Sequence, residues 1–198
     1  MTITASTILR TEYGEFKVNY HTFDNNEYCV SLSVGDLSQP NCLVRIQSSC
    51  LFSESFHTID CDCNLQLEAS MKKIAEEGRG VIIYSYEEGR GVGLENKIKA
   101  LEIERTEHVD TAEAFKELHF ELDPRQYEFA VKALKQLDVN NKIVLITNNP
   151  HKTTHVKEAG YEISDVLHLT YPLNEERRKY LKMKKNKLGH EIEDNLVD

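Results

Sequence analysis

Three cysteines, Cys50, Cys61 and Cys63, stand close together with the spacing C-x10-C-x-C, and no fourth ligand follows at a matching spacing. Three thiolates leave one position of a tetrahedral zinc ion open, and an open position distinguishes a catalytic zinc from a structural one. Zinc lowers the pKa of a bound water from about 15.7 to about 7, which makes hydroxide available at neutral pH. Because zinc sites with three cysteines activate a water that attacks ring carbons of nucleobases, the spacing predicts a hydrolase with one Zn2+ per chain.

The five cysteines also bear on the compartment in which the protein works. The opening residues, MTITASTILR, lack the apolar run of a signal peptide, so we expect a cytoplasmic protein. Disulfides are rare there, so Cys29 and Cys42, in apolar and strand-like surroundings, are expected to be small buried residues. One alternative stays open for the metal, because His57 could supply a fourth ligand and make the zinc structural.

Size and charge limit the possible partners. The 198 residues suffice for one domain, and no repeat or low-complexity tract interrupts them, so we expect a single domain over residues 1–198. The 24 Lys and Arg residues are outnumbered by 33 Asp and Glu residues, which argues against nucleic acid or an anionic membrane as partner. Seven basic residues fall in the tail, about residues 175–198. We favour a solvated helix face there over a patch for a phosphate-rich ligand.

The order of secondary structure follows from apolar periodicity. FKVNYHT, EYCVSLSVG and CLVRIQSS have strand patterns, with a turn-like DNNE after the first. VIIYSY and KIVLIT are predicted as buried strands further along the chain. Because strands come first and then alternate with helices, we predict an α/β fold with a mixed β-sheet and flanking helices.

Four helices are predicted between and after these strands. An apolar stripe from Leu67 to Ala75 ends at Gly78, and Leu94, Ile98 and Leu101 mark a second helix. A third begins with Asp123 as N-cap and Pro124 at the first helical position. A fourth follows the turn Asn148-Asn149-Pro150 and ends at Gly160.

Two loops follow clear strands, at the place where ligands collect in open α/β sheets. They are EEGRGVG (87–93) and TNNPHK (147–152). Glycines let the backbone approach a phosphate, while Arg90 would add a bidentate donor and Lys152 a point charge. Neither loop has the P-loop or dinucleotide fingerprint, so an ordinary glycine-rich turn stays the alternative.

Several of these segments together resemble GTP cyclohydrolase II. The resemblance rests on the cysteine cluster, CDCNLQLEASMKKIAEEGRGVIIYSYEEGRGVGLENKIKA, the tripeptide DPR, ITNNPHK and the terminal KLGH, in the family's order. It runs from about Leu9 to His190, and the combination is far more specific than any one motif. The sequence is therefore identified as a member of this family, whose fold we expect it to share.

The resemblance implies an activity and a set of partners. The family opens the imidazole ring of GTP, releases C8 as formate and removes pyrophosphate, giving 2,5-diamino-6-ribosylamino-4(3H)-pyrimidinone 5′-phosphate, the first intermediate toward riboflavin. Zinc is expected at the ring and Mg2+ at the triphosphate, and the family is typically a homodimer.

The resemblance also implies roles for single residues. Cys50, Cys61 and Cys63 match the zinc ligands, Asp123 the proposed proton acceptor, and Arg125 the proposed nucleophile toward the α-phosphorus. The positions that match contacts to GTP are Arg45, Ile46, Gln47, Ser48, Ser49, Gln66, Glu88, Gly89, Arg90, Thr111, Thr147 and Lys152.

Physical chemistry supports these roles unevenly. A carboxylate such as Glu88 is a natural partner for the guanine N1–H and exocyclic amine. A guanidinium stays protonated well above physiological pH, so stabilisation of transition-state charge is at least as good a role for Arg125 as nucleophilic attack. An N-cap beside a first-turn arginine is the structural alternative for Asp123 and Arg125.

Two departures from the family pattern bear on the product. Ser49 stands where the family usually has glutamate, and Leu101 stands where a tyrosine is usual. A tyrosine hydroxyl can relay a proton, and such acid–base help is typically worth about 10²–10⁴-fold in rate. Loss of formate requires a second hydrolytic attack, so the chain could instead stop at the formamidopyrimidine nucleotide.

Two further alternatives belong to other classes. The chain could be a GTP-binding module without catalysis, although three thiolates, Asp123 and Arg125 argue against it. It could be a zinc deaminase, although the H-x-E…P-C-x-x-C arrangement of those enzymes does not occur.

Overall fold

The structure is a computed structural model and describes residues 2–24 and 27–197. Seven strands lie in these residues: β1 (Thr2–Thr11), β2 (Gly14–Thr22), β3 (Tyr28–Val34), β4 (Cys42–Ser48), β5 (Gly80–Ser85), β6 (Lys142–Ile146) and β7 (Glu162–Leu167). Seven α-helices accompany them: α1 (Leu51–Glu54), α2 (Cys63–Glu77), α3 (Gly93–Glu107), α4 (Thr111–Glu117), α5 (Glu128–Gln136), α6 (Pro150–Glu158) and α7 (Glu175–Leu188). None of these helices is long and apolar enough to cross a membrane.

The strands form one sheet in the order β1-β2-β3-β5-β4-β6-β7. β1, β2, β3 and β5 pair antiparallel, whereas β4, β6 and β7 pair in parallel. The prediction of an α/β fold with a mixed sheet and flanking helices is therefore confirmed.

The central strands are buried on both faces, which explains their nearly continuous apolar sequences. In β4, Val44 and Ile46 join a core formed with α5 and α6 on one face. Leu43, directly before Val44, belongs to a second core on the other face, formed with Ile74 of α2. The alternation of side chains along a strand thus serves both cores.

The chain divides into two compact units. The sheet unit comprises Met1–Gln47, Leu65–Tyr86 and Gln126–Tyr171. The helical unit comprises Ser48–Asn64, Glu87–Arg125 and Pro172–Asp198 and has its own apolar clusters, one of them around Phe115. The single domain expected over residues 1–198 stays a prediction.

Two helix predictions need correction in detail. The helix expected to begin at Asp123 and Pro124 begins at Glu128, with Tyr127 as N-cap. The Asp123 carboxylate accepts two hydrogen bonds from the Arg125 side chain, and residues 123–127 are irregular. Helix α3 is confirmed, but Leu94 and Ile98 of its predicted stripe are exposed.

The edge strand β1 was not predicted, and neither was β7. Nine of the ten residues of β1 are exposed, so the strand has no buried face to give an alternating pattern. The middle of the predicted DNNE turn, Asn25 and Asn26, lies outside the described residues.

A buried histidine links β2, β3 and α5 within the sheet unit. His21 Nδ1 lies 2.6 Å from Gln136 Oε1, and Nε2 lies 2.9 Å from Ser31 Oγ. Burial lowers the pKa of His21 below its ordinary value of 6.5, although the hydrogen bond with Gln136 acts in the opposite direction. The folded protein therefore favours the neutral imidazole.

We predict that His21 makes the protein less stable in acid. The unfolded chain binds this proton at a higher pH than the folded protein, so the stabilisation is complete above 6.5 and is lost as the pH falls below it. The free energy of unfolding should decline by up to ~1.4 kcal/mol more per pH unit than in His21→Asn. Denaturant melts at several pH values measure this, with exposed His151→Asn as control; equal slopes for His21→Asn and the wild type would contradict it.

Candidate functional site

Helix α1 and the loop after it bring the three predicted metal ligands together. The sulfur atoms of Cys50, Cys61 and Cys63 all lie within 4.8 Å of one another, and Cys50 Sγ is 3.7 Å from Cys61 Sγ. Zinc–sulfur bonds of about 2.3 Å in a tetrahedron place two sulfurs about 3.8 Å apart, so the cluster fits such an ion. It is the only group of three or more potential ligands found in the described part of the chain, and exposed His57 lies outside it.

The three thiols share hydrogen bonds that favour negative charge on one sulfur. Hydrogen bonds with Cys50 and Cys63 lower the pKa of Cys61 far below its ordinary value. The pKa of Cys63 is raised by its hydrogen bonds with the other two thiols and by burial. Metal ligation requires thiolates, and this site already stabilises one of them.

Lys97 on α3 supplies a positive charge beside the cluster. Its Nζ lies 3.1 Å from Cys50 Sγ and 2.5 Å from Glu88 Oε1. Burial opposes protonation of Lys97. The hydrogen bond that Lys97 donates to Glu88, together with the charge of Cys50, outweighs burial and raises the pKa of Lys97. Sequence reasoning missed this lysine, whose only signal was its place in NKIKA.

Glu88 uses both carboxylate oxygens inside the helical unit. Oε1 accepts from Lys97, and Oε2 accepts from the backbone N–H of Leu51 at 2.8 Å. Leu51 directly follows the first cysteine, so Glu88 ties the glycine-rich loop to the metal cluster. Each carboxylate oxygen can accept a second hydrogen bond, so the predicted contact of Glu88 with guanine does not require either bond to break.

The glycine-rich loop holds Arg90 in an unusual backbone conformation. Gly89 has φ 62° and Arg90 has φ 59°, both in the left-handed region. A non-glycine residue there costs roughly 1–3 kcal/mol, and such strain clusters at functional sites. The guanidinium donates to the carbonyl of Leu122 at 3.2 Å and lies 5.1 Å from the ring centre of Phe115.

Asp123 and Arg125 form a bidentate ion pair. Arg125 Nε donates to Asp123 Oδ1 at 2.6 Å, and Nη2 donates to Oδ2 at 2.7 Å. Both side chains are largely buried: the exposed fraction is 13% for Arg125 and 7% for Asp123. The pair adjoins the glycine-rich loop, because a Cβ on Gly91 would lie 3.6 Å from Arg125 Cγ. The two residues therefore converge, as their predicted joint role requires, but from an irregular segment.

The sheet unit holds a second set of predicted residues at the ends of β4 and β6. Buried Arg45 donates to Gln47 Oε1 from Nε at 3.1 Å and from Nη2 at 2.7 Å. Its Nη2 also donates to Gln66, and its Nη1 donates to the carbonyl of Ile146 at 3.2 Å. These bonds fix the guanidinium and the two amides relative to one another.

Thr147 and Lys152 follow β6 in the same unit. Lys152 is buried, and its Nζ donates to the carbonyl of Ile46 at 2.7 Å. Thr147 Oγ1 accepts from the backbone N–H of Asn149, which in turn caps α6 through its side chain. The predicted turn and the helix that starts at Pro150 are confirmed.

Ser48 and Ser49, half-buried, precede the first cysteine in the helical unit, and Thr111 is the first residue of α4 in the same unit. The structure thus brings Glu88 to the cysteines and Asp123 to Arg125. It brings Arg45 to Gln47 and Gln66 within the sheet unit.

The basic tail is only partly the solvated helix face that was expected: Lys179, Lys182 and Lys187 are exposed, but two other basic residues contact the loop that carries the cysteines. Lys184 of α7 is buried, and its Nζ lies 2.7 Å from Oδ1 of fully buried Asp62. Burial opposes the charge on Lys184, but the Asp62 carboxylate outweighs it and raises the pKa of this lysine. Arg177 donates from Nε to the carbonyl of Cys61 at 3.0 Å.

Comparison with known proteins identifies the family. The sequence model of GTP cyclohydrolase II matches residues 2–168. The chain is 41% identical over 196 residues to GTP cyclohydrolase-2 of Haemophilus influenzae (strain PittEE), covering 98% of this chain and 90% of that protein. It is 41% identical over 186 residues to the riboflavin biosynthesis protein RibBA of Bacillus subtilis (strain 168), covering 92% of this chain and 46% of that protein.

The chain is also similar to a solved structure, a two-domain 3,4-dihydroxy-2-butanone 4-phosphate synthase from A. baumannii. The TM-score is 0.48 at 13% identity, over 86% of this chain and 40% of that chain, which is too low to weigh in the assignment. The cysteine cluster is a candidate metal site, and the similar proteins carry the name of a hydrolase. The chain belongs to the GTP cyclohydrolase II family.

We predict that the Lys184–Asp62 pair holds the metal loop in place. Lys184→Met leaves a buried carboxylate without its lysine and should cost about 3–5 kcal/mol in the free energy of unfolding. The variant should also lose bound metal to a chelator faster than the wild type. Denaturant melts and metal-release kinetics measure both effects. Lys182→Met, an exposed position two residues away, is the control; equal behaviour of the two variants would refute the role.

Proposed function

We propose that this protein hydrolyses the imidazole ring of GTP, with release of formate and pyrophosphate, to give 2,5-diamino-6-ribosylamino-4(3H)-pyrimidinone 5′-phosphate. Membership of the family supports this proposal. The observation that carries it is the cluster of three cysteine sulfurs within 4.8 Å of one another, with Lys97 beside it. Three protein ligands leave a coordination position for a reacting water, which a four-ligand structural site lacks.

The cysteines would hold a zinc ion, one per chain. When bound, the ion would supply a Lewis acid that activates water toward C8 of guanine. Lys97 would offset the charge of three thiolates around a dication. Mg2+ would accompany the triphosphate and neutralise the leaving pyrophosphate.

The nucleotide contacts are proposed for each unit in turn. In the sheet unit they are Arg45, Ile46, Gln47, Gln66, Thr147 and Lys152. In the helical unit they are Ser48, Ser49, Glu88, Gly89, Arg90 and Thr111. The fixed side chains of Arg45 and Lys152 favour recognition by residues already in position, because little side-chain entropy is lost on binding.

Arg125 is proposed to stabilise charge at the α-phosphorus, with Asp123 as its positioning partner. The bidentate pair holds the guanidinium plane fixed and favours its protonated form. A protonated guanidinium has no lone pair for attack on phosphorus, so we favour charge stabilisation over nucleophilic catalysis. Asp123 remains the candidate proton acceptor.

A second product is proposed because of Leu101. Positions 97 and 101 are one turn apart on α3, so Leu101 lies on the face that carries Lys97 to the cysteine cluster. An aliphatic side chain there offers no hydroxyl for proton transfer to the departing amine. The reaction would then stop after the first hydrolytic attack, at the formamidopyrimidine nucleotide.

The setting of the reaction is part of the same proposal. Relatives named for riboflavin biosynthesis support a role in that pathway. We further propose a homodimer in the cytoplasm that acts on a small nucleotide and requires neither nucleic acid nor a membrane.

The test is incubation of zinc-loaded, magnesium-supplemented protein with GTP, with formate, pyrophosphate and nucleotide followed by mass spectrometry. We expect turnover that stops when a chelator removes the metal and returns when zinc is restored. Cys61→Ser should reduce turnover at least 100-fold while the protein stays folded. Cys29→Ser, outside the cluster, is the matched control. Binding of GTP without any product would instead support a GTP-binding module, and ammonia release would support a deaminase.

We predict that Leu101→Tyr increases formate release relative to ring opening. A restored hydroxyl should raise the rate of the second hydrolytic step by about 10²–10⁴-fold if proton transfer limits it. The ratio of formylated to deformylated nucleotide reports this directly, with Leu101→Phe as control because it adds the ring without the hydroxyl. If the wild type already releases formate stoichiometrically at a normal rate, the truncated reaction is ruled out.

A further inference from the structure

Three buried polar atoms in the helical unit have no hydrogen-bond partner among the described residues: Oγ of Ser48, Nη2 of Arg90 and Oε1 of Glu104. The last two are a charged donor and an acidic acceptor. A buried donor or acceptor left unpaired costs free energy, so such atoms call for an explanation. The cation and the acid belong to one cluster, because the charge of Arg90 acts on Glu104.

Arg90 is held by its backbone and by two side-chain contacts. Its backbone is in the left-handed region, its Nη1 donates to Leu122, and its guanidinium lies over Phe115. Its buried Nη2 has no acceptor among the described residues. The acceptor can be a ligand oxygen or the carboxylate of Glu104.

Glu104, on α3, contacts Thr111 with its other oxygen. Thr111 Oγ1 donates to Glu104 Oε2 at 3.2 Å. Burial raises the pKa of Glu104 to about 7, against the hydrogen bond from Thr111 and the charge of Arg90, which lower it. The carboxylates of Asp110 and Asp60 raise it further, and Lys187 pairs with Asp110.

We propose that Glu104 is a positioning residue that controls Arg90 and Thr111 and thereby the affinity of the site for the nucleotide. The proposal rests on the proposed function, in which Arg90 and Thr111 contact GTP. Glu104 itself has no assigned role, and no sequence motif singled it out.

The two charge states of Glu104 compete differently with the ligand. As a neutral acid it accepts weakly, so Nη2 of Arg90 is left for an oxygen of the nucleotide. When its proton passes to solvent, the carboxylate becomes a stronger acceptor and a counter-charge for Arg90, because hydrogen bonds between ionised groups are the stronger ones. Ionised Glu104 therefore withdraws Arg90 from the nucleotide and holds Thr111 more tightly.

The prediction is a nucleotide affinity that falls above neutral pH. If only the neutral acid is competent, the apparent Kd for GTP rises about tenfold between pH 6 and pH 8, in proportion to the loss of the competent form. Glu104→Gln cannot ionise but can still accept a hydrogen bond from Thr111. The Kd of this variant for GTP should therefore change less with pH than the Kd of the wild type. The KM for GTP should show the same difference in pH dependence between the wild type and Glu104→Gln, and kcat should differ less between the two.

The experiment measures binding and turnover of GTP by the zinc-loaded full chain from pH 6 to 8.5. Glu102→Gln, an exposed residue on the same helix, carries the same charge change and should keep the wild-type profile, which includes the titration of GTP itself. Glu104→Met, of similar length and without a titrating group, should give the same flat profile as Glu104→Gln.

The outcomes separate this inference from the proposed function. A wild-type profile in Glu104→Gln, or no pH dependence in the wild type beyond that of GTP, overturns the role of Glu104 even if turnover is normal. If the Kd for GTP differs between the wild type and Glu104→Gln as expected but no product forms, the role of Glu104 is supported and the hydrolytic function is overturned. Absence of GTP binding at every pH overturns both.

Discussion

The buried ion pair between Lys184 and Asp62 is the interaction on which the metal cluster depends. Asp62 stands between two of the three cysteines, on a loop with no regular structure until Cys63 begins α2. Such a loop cannot fix sulfur positions by backbone hydrogen bonds alone. A charge buried without its partner costs several kcal/mol, so the pair leaves Asp62, and the cysteines beside it, few alternative positions.

A second charge pair connects the cluster to the glycine-rich loop. Lys97 contacts both Cys50 and Glu88, and Glu88 holds the backbone of Leu51. A thiolate cluster around a dication carries net negative charge, and the lysine offsets it where water cannot. Because Glu88 is shared, a displacement of the loop changes the surroundings of the first metal ligand. The glycine-rich loop and the cysteine cluster of the helical unit therefore form one electrostatic group.

Local patterns predicted the five inner strands of the sheet, four of the helices and the grouping of the three cysteines, because each depends on nearby residues. The strand β4 and the helix α2 have periodic apolar faces, and the cysteine spacing is itself local. Lys184 could not be predicted as buried, since its partner lies 122 residues away in sequence. The start of α5 was misplaced because Asp followed by Pro is typical of an N-cap, whereas the structure begins this helix at Glu128, after an irregular segment.

The two arginine–carboxylate pairs of the helical unit differ in a way that suits different tasks. In the pair formed by Asp123 and Arg125, two short hydrogen bonds satisfy both groups, so the arginine keeps one orientation whatever the pH near neutrality. In the cluster of Arg90 and Glu104, each side chain retains one unpaired polar atom. In the proposed reaction, the bidentate pair would present a fixed charge to the phosphate, whereas Arg90 and Glu104 would each have an atom available for a ligand. Because that availability depends on one proton, the strained loop around Arg90 is the part of the site that can respond to solution conditions, and the segment around Arg125 is the part that cannot.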